Sequence, residues 1–200
     1  DCEKAIGKEI KILKSKEYRC VEDCIKVFGG FKDARNNFAP CTNWLKKRVR
    51  KEWEYYNRDY ELTYVWGFDL KEKNRADRTV EYNPQAKHEF PLIEKKLSKE
   101  EVHGLFERTF DFARPWMYEH GYPNNNCVGC VKGGMGYWNR IRKDFPEVFE
   151  SRAKLERMVG HSMLRDRKGA VYLDELSPDR GDMSTEVFPD CGIMCYLAQK

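Results

Sequence analysis

Two thiols set two residues apart within a run of small, turn-forming residues limit this chain more than any other stretch. The run is Asn124-Asn125-Asn126-Cys127-Val128-Gly129-Cys130-Val131-Lys132-Gly133-Gly134-Met135-Gly136. In a Cys-x-x-Cys turn the intervening glycine lets the backbone fold back, so both sulfurs can face one metal ion. The same spacing also serves a redox dithiol. A second pair, Cys191 and Cys195, and an isolated Cys41 extend the pattern to five cysteines, the pattern of a metal site assembled from distant parts of the chain.

A closed site takes about four sulfur or nitrogen ligands. Cys127, Cys130, Cys191 and Cys195 would make an all-thiolate zinc site. Alternatively, Cys41 joins Cys127 and Cys130, with one tail cysteine as the fourth ligand, around an iron–sulfur cluster. Cys2, Cys20 and Cys24 read instead as small buried apolar residues. The chain has eight cysteines in 200 residues and is rich in Lys and Glu. Long chains with thiols at ligand spacing belong to reducing compartments, so a cytoplasmic protein is expected rather than a disulfide-stapled secreted one.

Lys and Arg number 37 against 33 Asp and Glu, leaving +4, too mild a charge to imply nucleic-acid binding by itself. No apolar run approaches a membrane span, and no signal-peptide pattern precedes Asp1. The sequence does not begin with Met, which points to further residues upstream.

Helical spacing predicts helices over 21–28, 42–56, 71–81, 137–144 and 146–159, with Phe145-Pro146 separating the last two. Ser98-Lys99-Glu100-Glu101 is a capping box opening a helix to about Phe110. Residues 1–6 read as the end of a helix stopped by Gly7. Strands are expected at Glu9–Leu13, at Leu62–Trp66, which is rich in β-branched and aromatic residues, and at Val171–Leu173. Alternation of strands with helices argues for an α/β layer with a doubly wound, mostly parallel sheet, followed by a helical, cysteine-rich C-terminal portion.

Several cationic side chains are candidates for anion contacts. Lys46, Lys47, Arg48, Arg50 and Lys51 crowd one helix, where a solvated face is the common role of such a run. Lys46 and Lys47 are singled out because they lie about one turn from Cys41. Arg75 and Arg78, three apart, share a helix face and either clamp an anion together or pair with Glu72 or Glu81. Gly133-Gly134-Met135-Gly136 at a helix start could cradle phosphate, but it lacks the spacing of the known phosphate loops and reads better as a flexible turn. No catalytic residue is identified by a Ser-His-Asp or paired-carboxylate pattern.

Taken together, several segments resemble the phosphoadenosine phosphosulfate reductase-like branch of the adenine-nucleotide α-hydrolase superfamily, often encoded by phages. They are Ala39-Pro40-Cys41-Thr42-Asn43-Trp44-Leu45-Lys46, Gly67 with Glu72 and Arg75-Ala76-Asp77-Arg78, Pro91-Leu92-Ile93, and Gly121-Tyr122-Pro123 leading into Cys127-Val128-Gly129-Cys130. The resemblance implies a partial adenine-nucleotide α-hydrolase-like α/β domain over 1–112, with a helical cysteine-rich region over 113–200 packed on it. It implies ATP or phosphoadenosine phosphosulfate as ligand, and either reduction of an adenylylated sulfate or ATP-dependent activation for sulfur transfer, with a sulfur-donor protein as partner. Cys41, Cys127 and Cys130 carry over as cluster ligands, with the fourth from Cys191 or Cys195. Lys46 and Arg75 or Arg78 would meet the nucleotide or sulfate end.

The family's Ser-Gly-Gly nucleotide loop has no counterpart in the chain. The expectation is that about fifty residues carrying it lie upstream, since a βαβ unit takes 30 or more. The alternative is a non-catalytic, metal-stapled relative that binds protein or nucleic acid, the latter through the Lys46 to Lys51 face.

Overall fold

A computed structural model describes residues 2–32 and 39–186. Its helices are α1 (Cys2–Ile6), α2 (Val21–Phe28), α3 (Pro40–Thr42), α4 (Arg48–Tyr56), α5 (Lys73–Tyr82), α6 (Pro91–Glu94), α7 (Lys99–Thr109), α8 (Trp116–Glu119), α9 (Met135–Asp144) and α10 (Pro146–Val159). A five-residue π turn, Asn43–Lys47, joins α3 to α4. The strands are short: β1 (Thr63–Val65), β2 (Lys87–Glu89), β3 (Leu164–Asp166) and β4 (Gly169–Val171).

The doubly wound, mostly parallel sheet expected from the sequence does not form. Among the described residues β1 pairs only with β2, in parallel, and β3 only with β4, antiparallel. Parallel sheets are covered on both faces and need nearly continuous apolar runs. Lys87-His88-Glu89 carries charge at two of its three positions, and Thr63 and Val65 stand exposed while only Tyr64 between them is half-buried. Glu9 to Leu13 is not a strand, and Ile10 and Ile12 remain exposed. The strand expected at Val171–Leu173 ends at Val171, and a 3-10 turn begins at Leu173.

The chain divides into two compact units. One comprises Asp1–Ile12 and Trp53–Asn125. Its buried residues are few: Phe68, Ala76, Met117 and Tyr122, with Thr79. Tyr64 of β1 stacks on His88 of β2 at 5.5 Å, and just beyond β1 Trp66 stacks on Phe68 at 5.4 Å, extending an aromatic ladder. Trp66 Nε1 donates to His88 Nδ1 at 3.0 Å, so the other ring nitrogen carries the proton and donates to the Asn83 carbonyl. The capping box opens α7: Glu101 N–H donates to Ser98 Oγ, and Ser98 N–H donates to the Glu101 carboxylate. An equivalent box at Asp69 and Glu72 opens the turn before α5.

The other unit comprises Leu13–Glu52 and Asn126–Lys200, described to residue 186. Most large, fully buried side chains belong to it, including Trp138, Tyr137, Ile25, Ile141 and Leu173. Each such apolar side chain contributes about 1.5–3 kcal/mol by leaving water. Helices α9 and α10 pack on each other across the break at Phe145, whose extended φ of −141° suits a residue before proline. Gly160, at φ +69°, stops α10 in the left-handed conformation, as Gly29 at +76° stops α2. Glu156 of α10 is fully buried and accepts the Met163 and Leu173 N–H groups, both at 2.6 Å, which ties the β3–β4 hairpin to the helix. No helix among the described residues is long and apolar enough to cross a membrane.

Candidate functional site

The Cys127–Cys130 turn is held from three sides. Gly129 sits at φ +70°, and a Cβ there would fall 2.6 Å from Val148 Cγ1, so both backbone conformation and space require glycine. Tyr137, in the first turn of α9, reaches back across the turn. Its hydroxyl accepts from the Cys130 N–H and donates to the Cys127 carbonyl, each at 3.0 Å. Burial pushes the Tyr137 phenol far above its ordinary range, so it stays a neutral clip. On the third side Arg152 of α10, almost fully buried, donates from Nε to the Gly129 carbonyl and from Nη1 to the Glu22 carboxylate.

Glu22 carries this restraint to α2. Burial pushes its carboxyl up, but the Arg152 hydrogen bond and charge outweigh that and leave it below its usual value. Two residues along α2 lies Cys24, which is buried and close enough to Cys41 to feel its charge. Burial first, and Cys41 second, push the Cys24 thiol up to about 11. Thus Cys41 on α3 and the Cys127–Cys130 turn belong to one packed unit, connected through α2, Glu22 and Arg152.

The two sulfurs of the turn differ. Cys127 is exposed and Cys130 is buried. Next to Cys130 the chain places cationic groups: Lys132 is 9% exposed, and Lys32 lies near both. Burial, and then repulsion from Lys132, pull the Lys32 ammonium below its ordinary value, while Cys130 acts in the opposite direction. Positive charge beside a thiol favours the thiolate or a bound anion.

The glycines after the turn are packing surfaces. A Cβ at Gly133 would fall 2.0 Å from the Tyr137 ring. One at Gly136 would fall 2.3 Å from the Met183 backbone. The α9 N-terminus is capped by the chain's own carboxylate, since Gly136 and Tyr137 N–H donate to Glu186 at 2.6 and 3.0 Å. An anion does sit where helix N-termini favour one, and it is a side chain of this protein.

The remaining predicted residues are placed as follows. Lys46 lies exposed on the π turn, in the same unit as the thiols. Arg75 and Arg78 belong to the other unit. Arg75 pairs with Glu72 at 2.5 Å and covers the Phe68 ring at 4.3 Å, which is the ion-pair alternative. Arg78 donates to the Asn74 carbonyl. Cys191 and Cys195 lie outside the described residues. Cys24 is buried as expected, whereas Cys2 and Cys20 are exposed. Among the described residues no three His, Cys, Asp or Glu side chains converge closely enough to hold a metal ion. Cys41, Cys127 and Cys130 alone therefore do not make a zinc or iron–sulfur ligand set among the described residues.

The sequence alone does not mark Tyr137, Arg152 with Glu22, Lys32 or Glu186 as parts of the site. One signal was present: Arg152 and Glu156 fall on the stripe of α10 that also carries Phe149 and Ala153. Charged residues on an apolar stripe are buried only with partners. Compared with protein-family models, curated proteins and solved structures, the chain matches none.

Proposed function

We propose that this protein is a phosphoadenosine phosphosulfate reductase-like enzyme that acts on an adenine nucleotide in sulfur metabolism or sulfur transfer. The Cys127–Cys130 turn is its thiol centre. The observation that carries this reading is the immobilised thiol pair, with buried Lys132 following Cys130 in the chain and Lys32 close enough to both to feel their charge, in one unit with Cys41 and Lys46. A rigid sulfur next to buried positive charge suits chemistry between a thiol and a strongly anionic substrate.

In the reductive form of this chemistry, a dithiol gives two electrons to the sulfur of the adenylylated sulfate. Sulfite and the adenosine phosphate leave, and the dithiol becomes a disulfide. In the activating form, ATP adenylylates an acceptor and releases pyrophosphate. The test offers the protein phosphoadenosine phosphosulfate with a dithiol protein, or ATP with a sulfur-donor protein, and measures sulfite or pyrophosphate. The expected result is release that falls at least tenfold in Lys46→Ala and in Cys130→Ser. Release of neither product, with one equivalent of bound zinc or iron per chain and salt-dependent nucleic-acid binding, would replace this reading with a non-catalytic metal-stapled module.

A further inference from the structure

Cys127 and Cys130 stand at the two corners of their turn. Val128 and Gly129 lie between them, Val128 at a negative φ and Gly129 at φ +70°, the type II pattern with glycine in third place. In a β-turn the first and fourth Cα atoms lie less than about 7 Å apart, and a disulfide spans about 4.4–6.8 Å. A disulfide between the two corners therefore needs little movement of the backbone. The Tyr137 hydroxyl holds this geometry, because it accepts from the Cys130 N–H and donates to the Cys127 carbonyl. Both bonds tie backbone groups, not sulfur, to one oxygen atom.

Unequal exposure then divides the work between the sulfurs. Cys127 is exposed, whereas Cys130 is 8% exposed. A disulfide arriving from solvent meets Cys127 first, and Cys130 meets it only after Cys127 has been joined to it.

We propose that Cys127 and Cys130 form a dithiol–disulfide couple that exchanges with small disulfides, Cys127 attacking and Cys130 closing the ring. In the first step the Cys127 thiolate attacks one sulfur of R–S–S–R, the S–S bond breaks and RS⁻ leaves with the electron pair. In the second, the Cys130 thiolate attacks the Cys127 sulfur of the mixed disulfide, and the other RS⁻ leaves. The turn has then given up two electrons and two protons, and the substrate has become two thiols. The second step is intramolecular between groups already in place, so it outruns release of Cys127 by an external thiol. This couple rests on the turn being the thiol centre proposed above and gives that centre its own two electrons. Its exchange with a disulfide needs no nucleotide and is read separately from sulfite or pyrophosphate release.

The test incubates the whole protein with glutathione disulfide, without nucleotide, quenches samples in acid and maps the Cys127–Cys130 peptide by mass spectrometry. The peptide is expected to lose two hydrogens and carry no glutathione, and a small dithiol should restore it. Cys130→Ser should accumulate one glutathione on Cys127, at least tenfold above its level in the unaltered protein. In Cys127→Ser, Cys130 should react at least tenfold more slowly than the unaltered pair. The result on the unaltered protein decides the proposal even where a variant fails to fold. A lasting glutathione adduct on its Cys127, a disulfide from either cysteine to a different one, or a pair left as thiols at millimolar glutathione disulfide would each overturn it. Product release with the pair still reduced would refute the couple alone, whereas ring closure without either product would refute the sulfur-transfer reading alone.

Discussion

Replacing Arg152 by Met removes the group that holds both the thiol turn and α2. Methionine keeps much of the volume, so the loss is mainly electrostatic. Removing one partner of a buried ion pair costs about 3–5 kcal/mol, because the other charge is left without compensation. The Arg152 side chain is 6% exposed and that of Glu22 31%, so Glu22 recovers some hydration and the lower end, about 3 kcal/mol, applies. The bond to the Gly129 carbonyl is long, at 3.4 Å, and contributes less than about 1 kcal/mol. Against a domain stability of about 5–15 kcal/mol this is a large fraction. With a urea dependence of about 2 kcal/mol per molar, the unfolding midpoint should fall by about 1.5 M. Alkylation of buried Cys130, followed by mass spectrometry, should accelerate while exposed Cys127 changes little. Adding Glu22→Leu to Arg152→Met should recover part of the loss, since no buried charge then lacks a partner. A midpoint moved by less than about 0.3 M, with Cys130 alkylation unchanged, would refute the role given to Arg152.

Three further outcomes follow from the same contacts. Tyr137→Phe removes the hydroxyl that joins Cys127 to Cys130, and should cost about 1–2 kcal/mol and speed hydrogen exchange at the Cys130 amide. Glu156→Ala orphans two buried N–H donors and should cost about 2–5 kcal/mol in urea unfolding. The two carboxylates also differ in pH dependence. Glu22 is held below its ordinary value, so its stabilisation is present above the normal glutamate range and is lost as pH falls through its folded value. Burial holds Glu156 above its ordinary value, so the folded protein keeps that proton longer and stability falls as pH rises past the normal value. Stability against pH in Glu22→Gln should lose the acid-side decline, and in Glu156→Gln the opposite slope.

What could be read from the sequence was local. Helix α2 begins and ends where its apolar spacing and Gly29 place it, and Ser98 caps α7 through Glu101, because those signals act within four residues. The break between α9 and α10 follows from Phe145-Pro146 in the same way. The sheet is not legible in this way: Leu62–Trp66 has strand propensity, while the number of its partners depends on segments far away in the chain. The site divided similarly. The thiol pair and its glycine stood out, but the residues that hold them, Tyr137 and the Arg152–Glu22 pair, are joined by contacts whose longest spans 130 residues. No periodicity announces such a pairing. Lys132 was visible only as one more lysine until burial set it near Lys32 and Cys130.

The most direct measurement is the rate at which iodoacetamide modifies Cys127, followed with and without adenosine 3′,5′-bisphosphate or ATP and with a uridine nucleotide as control. If the turn meets an adenine nucleotide at its anionic end, the adenine compounds slow modification at least fivefold at saturation and the uridine compound does not. An unchanged rate with all of them at millimolar concentration would contradict the account.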